Sequence, residues 1–191
     1  MDLSNAWRSL VNLVHRLKEE PRTGWKVRGL EGKAESVAEH SYSLATLAMF
    51  LSQGLGLDQQ RVIQLALVHD LVEALTTDIA VYAHPPEERE RIAAQKELAE
   101  TSAALKISEI LGEKWGAFFL SLFNEYREKR TPEAIFVSEL DKLEFVLQSY
   151  RFNGRLREEH YHEFMLSVEP RVSHPVLRTI LESLPHFPHK T

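Results

Sequence analysis

The sequence predicts an all-α fold, a helical bundle of about seven helices, on three observations. Apolar residues recur at steps of three and four through most of the chain, helix-capping residues punctuate those stretches, and no run alternates with the period of two that a strand requires. With 191 residues, 43% of them hydrophobic, and neither repeat nor low-complexity linker, one domain over residues 1–191 is expected, large enough to bury its own core.

The first helix is read from Leu3, Trp7, Leu10, Val14 and Leu17, which share one face. "EEPRTGWKVRGLEGKAE" (19–35) then breaks the period and reads as a loop. Ser36 and Glu39 stand in capping-box spacing at the start of the second helix, which closes at Gly54 and Gly56. Asp58 is the expected N-cap of the third, which runs through "QQRVIQLALVHDLVEAL" (59–75) and is apolar enough to lie centrally. The fourth starts near Pro86, with glutamates in its first turn, and ends at Gly112. Its charged first half reads as a solvated face. "KWGAFFLSLFNEYREK" and "TPEAIFVSELDKLEFVLQSYRF" supply two more amphipathic helices, the second with Thr131 as N-cap and Pro132 at the first helical position. The tail from Arg157 adds one or two, interrupted by Pro170 and Pro175.

Composition excludes several classes of function. Absence of cysteine rules out a disulfide framework and a thiolate metal site, and makes the cytoplasm the expected compartment. A net charge of -5 with both signs interleaved offers no footprint for long nucleic acid. The N-terminal segment has neither the basic start nor the cleavage site of a signal peptide, and no apolar run is long enough for a membrane span.

Chemistry concentrates in "HDLVEALTTD" (69–78). On a continuous helix Asp70 projects about 100° from His69, and Glu73, at about 400°, falls between them one turn on. His69 and Asp70 would each offer one bond to a metal ion, with Glu73 within reach of a water beside it. Without cysteine, further ligands must be His, Asp or Glu. His40, in the first turn of the second helix, and Asp141, inside the apolar run "AIFVSELDKLEFVL", are the candidates. Each residue alone has a plainer reading: a hydrogen-bonded His-Asp pair at a helix surface, a capping or solvent-facing histidine, an aspartate paired to a nearby cation. Asp78 lies nine steps, about 900°, beyond His69 and points away unless the helix stops first. The consecutive β-branched Thr76 and Thr77 make such a stop reasonable. Otherwise Asp78 is a turn residue facing water. His15, His84, His160, His162, His174, His186 and His189 fall outside the pattern and read as surface or packing histidines. Phe118, Phe119, Leu122, Phe123 and Tyr126 read as core or a dimer face.

In its ordered histidine, histidine-aspartate pair and distant aspartate, the sequence resembles the HD-domain metal-dependent phosphohydrolases. It is most similar to their small 5'-deoxynucleotidase branch, through "PRTGW", "ESVAEHS", "LALVHDLVEALTTDI" and "FVSELDKLEFVLQ" in that order. The resemblance implies an HD-type bundle in which His40, His69, Asp70 and Asp141 hold one divalent ion, with Glu73 and Asp78 acting beside it and Trp25 bordering a nucleotide pocket. Gly24 departs from the pattern, because the small bacterial deoxynucleotidases carry arginine directly before this tryptophan. Arg22 or Arg28 would then supply the charge toward phosphate. Trp25 has a second reading, as an anchor of its loop on the core.

The function so implied is hydrolysis of (deoxy)ribonucleoside 5'-monophosphates to nucleoside and phosphate, with Glu73 as base toward water. Two nitrogens and two oxygens suit manganese, cobalt, iron, nickel or zinc better than calcium. A nucleotide is the expected small-molecule partner, in a homodimeric enzyme. The alternatives are a hydrolase of another phosphoester, such as a nucleoside triphosphate or signalling nucleotide, and a non-catalytic metal- or nucleotide-binding module.

Overall fold

A computed structural model describes residues 3–30, 32, 34–152 and 154–185. The side chain of Leu3, and His186 and His189, lie outside the described residues. The elements are α1 (Leu3–Glu19), α2 (Thr23–Lys26), α3 (Val37–Leu51), α4 (Gln59–Val68), α5 (Glu73–Thr76), α6 (Pro86–Glu128), α7 (Pro132–Arg151), α8 (Glu158–Val168) and α9 (Pro175–Ser183), with 3-10 turns at Val81–Ala83 and Glu169–Arg171. Among the described residues there is no named strand, only an isolated bridge between Pro21 and Ser36.

The helix starts follow local chemistry. Ser36 and Glu39 form a reciprocal capping box on α3, Asp58 accepts from the Arg61 N–H at α4, and Thr131 accepts from the Ala134 N–H at α7. Pro86 opens α6, whose helical course is broken at Gly112 (φ 75°, ψ 171°), so the fourth and fifth expected helices are its two halves. Gly116 lets the second half approach the first, since a Cβ there would lie 2.2 Å from the Ser108 carbonyl oxygen.

Two expected features are placed differently. On α1 the buried residues are Ala6, Leu13 and Leu17, whereas Trp7 and Val14 are exposed. The packed stripe is therefore Ala6, Leu10, Leu13 and Leu17, which shares two residues with the expected face and is rotated away from Trp7. The third helix does not run continuously to Leu75. It ends at Val68, a tight turn follows with i-to-i+3 bonds from Leu71 N–H to Val68 and from Glu73 N–H to Asp70, and α5 adds one short turn.

Two hydrophobic clusters form the interior. One joins α3, α4, α7, α8 and α9 around Leu44, Leu65, Leu140, Phe164 and Leu177; the other joins α1, α5 and α6 around Leu13, Val72, Ile107 and Phe123. Val68 packs against both, which puts its neighbours His69 and Asp70 at the seam between them. Phe119, Leu122 and Phe123 belong to the core, and Phe118 is half exposed.

Thr77 terminates α5 at φ 67°, ψ 160°, a region natural to glycine and strained for a β-branched residue by about 1–3 kcal/mol. Replacing Thr77 with Gly is therefore expected to raise unfolding stability by about 1 kcal/mol, after the added freedom of the unfolded chain is subtracted. A urea midpoint that moves upward at constant slope is the expected result; a lower midpoint would show that the threonine is not strained.

Candidate functional site

His40 enters from the first turn of α3 and is fully buried. Its Nδ1 lies 2.7 Å from Glu144 Oε2, one turn beyond Asp141 on α7, so in the neutral ring this bond places the hydrogen on Nδ1 and the lone pair on Nε2. The same logic fixes His69 at the end of α4, whose Nδ1 donates to the Ala66 carbonyl over 2.9 Å. Both Nε2 atoms are buried and lack a hydrogen-bond partner.

Carboxylates converge on those two nitrogens. His40 Nε2 lies 3.2 Å from Asp141 Oδ1 and 3.9 Å from Asp70 Oδ2, and His69 Nε2 lies 3.0 Å from Asp70 Oδ2. Ligand atoms of His40, His69 and Asp141 all fall within 4.8 Å of one another, as a divalent ion bound among them requires. The donor set fits such an ion: two buried imidazole lone pairs without partners, facing carboxylates held ionised. Asp70 illustrates the last point, since burial would raise its pKa, but His69, Arg22 and His40 outweigh burial and hold it well below the usual carboxylate range. Asp141, which accepts from the Tyr126 hydroxyl over 3.3 Å, is likewise held low, because Lys142 at 2.7 Å and the His40 and His69 rings outweigh its burial.

These groups sit at a cavity of about 260 Å³, close to the lower end of small-molecule sites at ~300 Å³. Its lining includes Arg22, Asp70, Glu73, Asp78, Lys96 and Asp141, together with Gly24, Arg28, Tyr82, Phe145 and Phe164. Glu73 is buried, which together with Asp70 and Asp78 raises its pKa well above the ordinary value, and its Oε2 has no partner. Asp78 reaches the cavity because Thr77 turns the chain. Its carboxylate accepts from the Thr23 N–H over 2.5 Å, while its own carbonyl accepts from the Thr23 hydroxyl, so it also pins the segment carrying Arg22. Arg22 in turn reaches Asp70 over 3.3 Å, and four surrounding carboxylates keep it charged against burial.

Arg28 lines the cavity, whereas Trp25 does not. Trp25 has no exposed surface; it stacks on Phe145 at 4.5 Å, packs against Phe152 and Phe164, and donates to Glu35. It anchors its loop on the core behind the cavity wall. Arg28 lies in the wall but is heavily engaged, between the rings of Tyr82 (4.6 Å) and Phe164 (4.5 Å), donating to the Gly24 carbonyl and paired with Glu163. Gly24 allows this packing, because a Cβ there would meet the Tyr82 hydroxyl at 2.0 Å. Sequence reasoning overlooked Lys96, Glu144 and Tyr82. Glu144 was open to discovery, being a carboxylate in the same apolar run that singled out Asp141.

The HD domain sequence profile matches residues 14–181. The chain belongs to the HD domain family. Among its relatives, the 5'-deoxynucleotidase HDDC2 of Danio rerio is 34% identical over 180 residues, covering 91% of this chain and 84% of that protein. The Homo sapiens protein of the same name is 32% identical, covering 91% and 82%. Of solved structures, the PH0347 protein of Pyrococcus horikoshii superposes with a TM-score of 0.68 at 30% identity, over 91% of this chain and 95% of that one. This HD domain chain also has no helix, among the described residues, long and apolar enough to cross a membrane.

Proton and ion compete for His40. Without an ion, burial and the Arg22 charge push the imidazole down, but the Asp141 and Glu144 carboxylates outweigh them and raise it from 6.5 to about 9. The protonated ring thus contributes stability below pH 6.5 that is lost as pH rises through about 9, whereas an ion needs the deprotonated nitrogen. Manganese affinity of metal-depleted protein is accordingly expected to weaken by up to about tenfold per pH unit on descending from pH 9. Titration calorimetry between pH 6.5 and 8.5 measures this, and an affinity independent of pH would remove His40 from the ligand set.

Proposed function

We propose that the protein is a divalent-metal-dependent phosphomonoesterase that hydrolyses nucleoside 5'-monophosphates, deoxyribonucleotides foremost, to nucleoside and phosphate. The observation that carries this reading is the convergence of two buried, unpartnered imidazole nitrogens on two ionised aspartates, Asp70 and Asp141, that line a cavity with Glu73 and Arg22. The naming of its HDDC2 relatives as 5'-deoxynucleotidases supports the substrate class. The volume of the cavity suits one small molecule.

In this reading His40, His69, Asp70 and Asp141 hold one ion of manganese, cobalt, iron, nickel or zinc. When bound, such an ion acidifies water and offsets charge on the phosphoryl oxygens. Glu73 takes the proton from the attacking water through Oε2, and burial beside Asp70 and Asp78 raises its affinity for that proton. Water oxygen bonds to phosphorus as the bond from phosphorus to the 5'-oxygen breaks, and that oxygen collects a proton on leaving. Arg22, already charged and facing Asp70, steers the phosphate, and Asp78 keeps the Arg22 segment in register through Thr23. Tyr82, Phe145 and Phe164 offer an apolar wall for the nucleoside.

A phosphate-release screen of nucleoside mono- and triphosphates with manganese or cobalt is expected to show turnover of monophosphates. Release from no nucleotide would overturn the reading, and release confined to triphosphates would move it to another phosphoester. Glu73→Ala is expected to lose turnover by about 10²- to 10⁴-fold while keeping its metal content, and Asp70→Ala to lose both. Parent-like turnover in Glu73→Ala would remove the proposed base.

A further inference from the structure

Charged residues of the first half of α6 mostly face solvent, but Lys96 turns inward. Its ammonium lies 3.3 Å from Glu73 Oε1, 3.3 Å from the Ile79 carbonyl oxygen, 3.5 Å from Glu100 Oε1 and 4.0 Å from Asp78 Oδ1. It lines the same cavity as Arg22 and Asp141. Glu73 is divided by this contact: Oε1 is tied to Lys96, and the buried Oε2 has no partner.

A buried carboxylate with one tethered oxygen and one free oxygen has its rotation set by the tether. An untethered Glu73, facing Asp70 and Asp78, would turn either oxygen toward whatever cation was nearest. We propose that Lys96 is a positioning residue for the hydrolysis, holding Glu73 by one oxygen so that the other meets the attacking water. The bond to the Ile79 carbonyl extends this hold to the segment after Asp78, so one ammonium fixes the base and the turn that borders it. A merely structural Lys96 would only compensate the buried charge of Glu73, Asp78 and Glu100, and its removal would then lower turnover solely through unfolding or loss of the metal.

The inference rests on the hydrolytic reading above, and the parent enzyme run in parallel separates the two. Full-length Lys96→Met keeps the stem and loses the charge; Lys96→Arg keeps the charge; Lys96→Ala opens room for an added amine. With manganese and the monophosphate that the parent turns over fastest, Lys96→Met is expected to lose kcat by about 100-fold with KM within about twofold. Its manganese content should match the parent, it should remain folded at the assay temperature, and its crystal structure should show the Glu73 carboxylate rotated. Lys96→Arg should recover much of kcat, and ethylammonium should restore Lys96→Ala in a saturable manner. Parent-like kcat in Lys96→Met, a raised KM at unchanged kcat, or loss of turnover in step with manganese content or with the folded fraction at the assay temperature would each overturn the proposal while leaving the hydrolytic reading intact. An inactive parent would overturn both.

Discussion

The 2.7 Å bond between His40 and Glu144 is the constraint from which the site is built. It joins α3 to α7 across the interior, decides which imidazole nitrogen carries a lone pair, and leaves that lone pair facing Asp70 and Asp141. Behind it, Glu35 accepts from the Trp25 indole and its carbonyl accepts from the Arg22 N–H, so the loop between α1 and α3 is fastened to the same corner. Arg22 is delivered to the cavity by that fastening. Removing the Glu144 carboxylate would free the ring to flip and loosen α3 from α7 in one step.

Charge compensation is the second organising principle. Asp70, Glu73, Asp78 and Asp141 share one cavity, and burying like charges together is unfavourable unless cations are interleaved. Arg22 contacts Asp70, Lys96 contacts Glu73, and Lys142 contacts Asp141, one cation for each of three carboxylates. One carboxylate charge is left over beside the imidazole pair. The preponderance of acid at this point is local, in a chain whose charges are otherwise interleaved.

Helix periodicity and capping made most of the bundle legible in sequence, because those signals are local: Ser36, Asp58 and Thr131 each cap the helix they precede. Rotation of α1 about its axis was not legible, since two apolar stripes share Leu10 and Leu17 and only the neighbouring helices choose between them. The turn at His69 escaped for a similar reason. "LVHDLVEAL" is as helical in composition as what precedes it, and tertiary contacts impose the tighter turn. His40, His69 and Asp141 do meet, though nothing local in sequence brings them together. Trp25 shows the converse: an aromatic near arginines suits a ligand pocket or a core equally well, and only its surroundings assign it to the core.

The gathered residues come from far apart along the chain. His40 and Glu144 are separated by 104 positions, Arg22 and Asp70 by 48, and Thr23 and Asp78 by 55. No contiguous fragment shorter than that span contains the whole arrangement, and closing loops of this length comes only when α7 docks on α3 and α4. During synthesis, then, the acidic cavity exists only after the chain has grown past α7. An intact cavity doubles as a certificate that the bundle has closed, since α7 and α8 both contribute to its lining.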